Sequence, residues 1–326
     1  MHFQIGTIIW CRKFIRMERN NIDKDFLSVI NKMITVDGWY NPQQWFNSNS
    51  FNLYYNGGSQ KIYYNYAQTQ EDEIKLYKSK DSEITYCFNK EGFRTKQFNV
   101  LNKNKMNILT AGCSNTFGQS MPEEKTWPTI LKNKIVNSNV DLYNLGVSGL
   151  DTGRIVANCY NFIKKYGAPD YLFLLLPPIQ RSLTLLKNKE MATKQDPMFV
   201  RNTNQLAKEL FKKKSKLPIV LYNNLMHLVN LEIFCTTNNI KLFWYSWDKN
   251  SQEIYEKCLF NNNISSQIFY EQMHNVIELY EINGDNLSSD KYWEFAEDND
   301  HQGLKWHLAW ANTFFNVAEI NDNPRI

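Results

Sequence analysis

The sequence has little that announces a metal, a membrane or a nucleic acid. Its six cysteines (Cys11, Cys87, Cys113, Cys159, Cys235, Cys258) are widely spaced, with no CxxC pair and no Cys/His cluster at zinc spacing. No metal site is therefore expected, and the cysteines read as free thiols of a reducing compartment. No apolar run approaches the roughly 20 residues that a membrane helix requires. The opening "MHFQIGTIIWCRKF" is short, carries its basic residues after the apolar stretch and lacks a small-residue cleavage site. Neither a secretion signal nor a membrane span is expected, and the chain is read as cytoplasmic. Charge bias is also small: 37 Lys+Arg against 33 Asp+Glu leave a net charge of +4. The one dense basic run, "KKKSK" at Lys212–Lys216, reads as a solvated helix end, so nucleic acid is not an expected partner. Internal repeats are absent. Gly112–Gly118 lacks the Lys-Ser/Thr ending of a phosphate loop, so no nucleotide or other cofactor is implied.

What remains suits a folded globular chain. The 326 residues, 43% hydrophobic and 21% charged, are enough for one large domain or two small ones with a sizeable core. Residues 1–100 are rich in Tyr, Trp and Asn without a clear period, and read as an irregular or small β-containing extension packed on a main domain.

From about residue 105 strand-like and helix-like stretches alternate. "MNILTAG" (Met106–Gly112), "VDLYNLGVSG" (Val140–Gly149), the continuous apolar "PDYLFLLLPP" (Pro169–Pro178) and "IKLFWYSWD" (Ile240–Asp248) read as strands or strand-and-turn units. Between and after them, Glu124–Val136, Thr152–Gly167, Leu221–Asn239 and His301–Ile320 read as helices. This order predicts a parallel sheet with helices on both faces, occupying 101–326. The polar stretches near 183–216 and 249–290 read as excursions from it. Ligands of such sheets bind beyond the carboxyl ends of the strands, where Ser114, Gly149 and Gln180 fall.

The turns carry a constellation. Gly112-Cys113-Ser114-Asn115-Thr116-Phe117-Gly118 follows the first strand, "NLGVSG" (Asn144–Gly149) follows the second, and Asp298-Asn299-Asp300-His301 precedes the closing helix. Upstream stands "YCFNKEGFR" (Tyr86–Arg94). These blocks, in this order, resemble those of the SGNH/GDSL hydrolases, over roughly residues 85–320. The resemblance implies a three-layer α/β/α, flavodoxin-like sheet and a serine esterase. It implies Ser114 as nucleophile, His301 as base and Asp298 as the acid that orients it. The backbone N–H groups of Ser114 and Gly149 become oxyanion donors.

The chemistry is consistent with these roles. A serine hydroxyl is a poor nucleophile until a base takes its proton, and a neutral imidazole held by a carboxylate does so. Histidine is scarce, the others being His2, His227, His274 and His307, the last read as structural within the closing helix. Each residue also has a plainer reading: Ser114 as a helix cap, His301 as a surface histidine, Gly149 as a turn glycine. Asp300 is the rival to Asp298.

Two departures from the family pattern stand out. Cys113 replaces the Asp before the serine, and is expected to pack pointing away from Ser114. After the third strand the family has Gly-x-Asn-Asp, whose Asn donates to the oxyanion; here the chain reads "LPPIQRS" (Leu176–Ser182). Gln180 supplies a similar amide and Arg181 a charged donor; without either the hole is one donor short, a cost on the order of a hundredfold in rate. Asn115 and Arg181 are candidate substrate-binding residues. The substrate implied is a small-molecule or glycan ester, with carbohydrate O-acetyl hydrolysis as the leading activity. The alternatives are O-acyl transfer through the same triad and a carbohydrate-binding protein that has lost the chemistry.

Overall fold

The computed structural model describes residues 64–68, 75–79, 84–135, 139–181, 217–259, 264–282, 290–297 and 301–320. Most of the N-terminal 1–100 region, the stretch near 183–216, and Asp298 and Asp300 lie outside the described residues. In what is described, β1 (Tyr64–Gln68), β2 (Lys75–Ser79) and β3 (Thr85–Phe88) form an antiparallel sheet in that order.

A second sheet is wholly parallel. Its strands are β4 (Met106–Gly112), β5 (Val140–Asn144), β6 (Tyr171–Leu176) and β7 (Lys241–Ser246), in the order β5-β4-β6-β7. From β4 the chain passes to β5 on one side; the return to β6 crosses to the other. The order therefore reverses at β4, and the crevice at its carboxyl end is where open α/β sheets bind ligands. Ser114 stands two residues past that end.

The connecting helices are α1 (Ser114–Phe117), α2 (Trp127–Lys134), α3 (Thr152–Tyr166), α4 (Leu217–Thr237), α5 (Lys249–Cys258), α6 (Ser266–Ile282) and α7 (Leu304–Val317). Alternation along the strands sorts them into two layers. Leu172, Leu174 and Leu176 of β6 face one core with Ile155, Phe162, Leu228, Leu231 and Tyr255 of α3, α4 and α5. Tyr171, Phe173 and Leu175 face the other, with Leu131, Phe269, Val276, Trp310 and Phe314 of α2, α6 and α7. β6 is buried along its whole length, as a doubly covered parallel strand must be. The result is the expected three-layer α/β/α arrangement with a flavodoxin-like strand order.

Local signals explain the boundaries. Asp151 caps α3, accepting from the Arg154 N–H at 3.0 Å, and Gly167 ends it. α4 begins at Leu217, four residues before the apolar period becomes legible, because Pro218 is tolerated in a first helical turn. The stretch near 249–290, polar in sequence, holds α5 and α6. Phe269, Met273 and Val276, at spacings of four and three, give α6 a buried apolar stripe.

Candidate active site

Ser114 opens the four-residue α1 and is 7% exposed. It does not cap that helix: the cap position belongs to Cys113, and no side-chain cap bond is made. As the first helical residue, Ser114 has a backbone N–H with no acceptor inside the helix. Gly149 sits in the second turn at φ +79°, a left-handed conformation that glycine adopts without strain. Its N–H donates to no protein acceptor among the described residues.

The second turn is fastened to the serine turn at three places. The Asn144 side-chain amide donates to Thr116 O at 2.9 Å while its Oδ1 accepts from the Gly146 N–H at 2.8 Å. Gly146 lies so close to α1 that a Cβ there would stand 2.3 Å from Phe117 N and 2.5 Å from Thr116 C. Ser148 Oγ donates to Gln119 Oε1 at 2.7 Å. Thus Asn144 and Gly146 act as braces between the two turns.

The upstream block clamps the same turn from another side. Arg94, 2% exposed, donates to Gly118 O (2.7 Å), Met121 O (3.0 Å) and Phe117 O (3.3 Å). Its guanidinium carbon lies 4.5 Å from the centroid of the Tyr86 ring. Tyr86 Oη in turn accepts from the Ser120 N–H at 2.8 Å. Asn89 Oδ1 accepts from the Phe93 N–H, which shapes the turn that delivers Arg94.

A third clamp ties the histidine-bearing segment to this turn. The Glu297 N–H donates to Ser120 O at 3.0 Å, and the Ala296 N–H donates to His301 O at 2.9 Å. Phe295 and Gln302 form an isolated antiparallel bridge. His301, 9% exposed, is thereby hung one short ladder from the segment that follows Ser114. His307, on the first turns of α7, is 1% exposed, and its Nδ1 accepts from the Trp127 N–H at 3.0 Å. Burial, then the neighbouring His301 and Arg94, push its pKa down to about 3 against a backbone hydrogen bond to Gln302. His307 is thus a neutral strut between α2 and the residue next to His301.

Cys113 corrects one expectation. It is fully buried, but its Sγ does not turn away from the serine: Ser114 Oγ lies 3.9 Å from it. The Trp247 indole N–H also points at that sulfur, at 3.3 Å. A thiol fits where a larger side chain would meet the indole. Asn115 is 2% exposed and its Oδ1 has no hydrogen-bond partner among the described residues. Gln180 lies in the turn after β6, half-buried, with no side-chain partner among the described residues. Next to it Arg181 places its guanidinium carbon 5.7 Å from the Trp247 ring centroid.

The sequence reading missed Asn144, Arg94, His307 and Trp247 as parts of this site. Asn144 and Arg94 stood inside quoted blocks, and Trp247 stands directly after a strand end, where such sheets place ligand contacts. His307 was read as structural from its place in the closing helix, and its burial and bond to Trp127 agree; only its place beside the site was missed. The described cysteines Cys87, Cys113, Cys159, Cys235 and Cys258 are free thiols. Among the described residues no helix is long and apolar enough to cross a membrane.

No family model matches the chain, and no curated protein matches it. Solved structures do. The psychrotrophic esterase EstA from Pseudoalteromonas sp. is 11% identical, over 66% of this chain and 97% of its own, with a TM-score of 0.36. A member of the lipolytic G-D-S-L family from Veillonella parvula is 16% identical, over 66% and 100%, with a TM-score of 0.28. A carbohydrate acetylesterase family member from Sinorhizobium meliloti is 13% identical, over 66% and 97%, with a TM-score of 0.33. At these values the functional reading rests on the site's own geometry.

Proposed function

We propose that this chain is a serine ester hydrolase of the SGNH/GDSL type. The observation that carries the reading is the convergence of three separate blocks on one turn. The Gly149 loop, the Arg94 clamp and the His301 segment all bond to residues 116–121, directly after Ser114. That turn sits at the reversal of strand order, where a substrate enters.

In this reading His301 takes the Ser114 hydroxyl proton as Oγ attacks the ester carbonyl, with Asp298 holding the imidazole. The carbonyl oxygen becomes an oxyanion that accepts from the Ser114 and Gly149 N–H groups. The intermediate collapses, the alcohol leaves with the proton from His301, and an acyl-Ser114 ester remains. Water, deprotonated by His301, then releases the acid and regenerates the serine. Gln180, whose amide has no other partner among the described residues, serves as the third donor in place of the family's Asn. The leading substrate is an O-acetyl group on a carbohydrate, with the sugar held against the aromatic and polar side chains beyond the sheet.

The test is burst release of p-nitrophenol from p-nitrophenyl acetate. The native protein should release about one equivalent per chain before steady turnover. Ser114→Ala should abolish the burst and lower kcat on the order of a thousandfold or more. An unchanged rate in Ser114→Ala would overturn the reading.

A further inference from the structure

We infer that Arg181 and Trp247 form an anion subsite linked to Ser114 through Cys113, and that the ester acted on is carried by an acidic sugar bearing a carboxylate. The inference rests on the hydrolase reading above and names its substrate class.

The backbone of Arg181 is fixed. Its N–H donates to Pro178 O at 2.8 Å, and its carbonyl accepts from the Asn224 side-chain amide at 3.1 Å. The same amide donates to Ile179 O at 2.6 Å, and the Ile179 N–H donates to Ser251 Oγ at 2.8 Å. Helices α4 and α5 therefore hold this turn at the carboxyl end of β6, which pairs directly with β4. The Arg181 side chain rises from a pinned backbone onto the Trp247 ring. The indole N–H of Trp247 reaches Cys113 Sγ at 3.3 Å, and that sulfur lies 3.9 Å from Ser114 Oγ. Trp247 thus touches both the guanidinium and the residue preceding the nucleophile.

The charge on Arg181 is unspent. Of the three described arginines, Arg94 is held by backbone carbonyls and Arg154 pairs with Asp151 at 2.5 Å. Arg181 makes no ion pair among the described residues. The acid that follows Trp247, Asp248, is committed to α5, accepting from Ser251 N–H (2.9 Å) and Ser251 Oγ (2.5 Å). A guanidinium held over an indole, here at 5.7 Å, keeps its N–H donors for a ligand. Those paired donors match the two oxygens of a carboxylate, which accept two parallel hydrogen bonds, whereas a neutral hydroxymethyl group presents a single uncharged oxygen.

The experiment compares two acetyl esters that differ at one carbon: an O-acetyl methyl glucuronoside and the methyl glucoside acetylated at the same hydroxyl. The readout is the ratio of their kcat/KM values in the native protein, Arg181→Ala and Arg181→Lys. The native protein should favour the uronoside. Arg181→Ala should reduce the ratio about ten- to a hundredfold, the usual worth of a hydrogen bond to a charged group. Arg181→Lys should restore part of it. An unchanged ratio overturns the inference, and so does an equal loss on both esters, which would make Arg181 an oxyanion donor. Urea midpoints of the variants show that they fold. Should p-nitrophenyl acetate give no burst, the hydrolase reading fails by itself. The subsite is then read from titration of methyl glucuronoside and methyl glucoside followed by tryptophan fluorescence. Tenfold tighter binding of the uronoside that Arg181→Ala erases upholds it, and equal binding overturns it.

Discussion

Replacing Arg94 by methionine removes the charge and keeps most of the stem that packs against Tyr86 and Phe117. Three carbonyls, Phe117 O, Gly118 O and Met121 O, then lose a buried donor. Gly118 O keeps the Met121 N–H at 3.2 Å, so the loss falls mainly on the other two. A buried carbonyl deprived of its partner costs about 1–3 kcal/mol, and the lost contact with the Tyr86 ring adds about 0.5–2 kcal/mol. Removing the guanidinium also lifts its own desolvation cost, which offsets part of this. The net expectation is about 3 kcal/mol, a large share of the roughly 5–15 kcal/mol typical of a domain. Urea unfolding followed by tryptophan fluorescence measures it. Arg94→Lys should fall between the two proteins, since one ammonium keeps the charge but does not span all three carbonyls. Hydrolysis should fall further than stability alone explains, because the freed turn is the one that positions Ser114. An Arg94→Met variant within about 1 kcal/mol of the native protein, the low end of the cost of a single orphaned carbonyl, would refute the clamp.

Other perturbations follow from the same contacts. Gly146→Ala drives a methyl group into the α1 backbone at 2.3 Å from Phe117 N, and should cost about 1–3 kcal/mol in urea and lower kcat with it. His307 is held far below its ordinary pKa by burial, so it stabilises the fold fully only above about pH 6.5. That contribution is lost as pH falls towards 3, because the unfolded chain takes up the proton first. The slope of stability against pH between about 6.5 and 4 should flatten in His307→Asn; an identical slope would contradict the neutral strut.

The parallel sheet was legible because its strands announce themselves. Met106–Gly112 stops at a glycine, and Tyr171–Leu176 is apolar on both faces. The serine and glycine turns were legible for a related reason: small residues at strand ends mark places where a backbone approaches something closely. α5 and α6 were not: α5 is mostly polar, and the apolar residues of α6 are interleaved with polar ones and form a stripe only once the helical spacing is known. The clamp on residues 117–121 was illegible for a different reason. Arg94 closes a quoted block and Ser120 and Glu297 carry no signal, and only tertiary folding shows that Arg94 reaches carbonyls within residues 117–121 and that Glu297 N–H reaches Ser120 O. Trp247 met Cys113 in the same way, across 134 residues of sequence.

The hydrogen bond from the Trp127 N–H to His307 spans 180 residues. It gives the site an order of assembly. Ser114 and its braces from Asn144 and Arg94 are all synthesised early, and they can settle once the first three strands of the parallel sheet are in place. The histidine arm is made some 180 residues later, where the bond to Ser120 and the docking of α7 against α2 both hold it. If His301 is the base proposed for Ser114, a growing chain carries its serine through some 180 further residues without the group that would activate it. On that reading the pair is completed with α7, the last of the described helices.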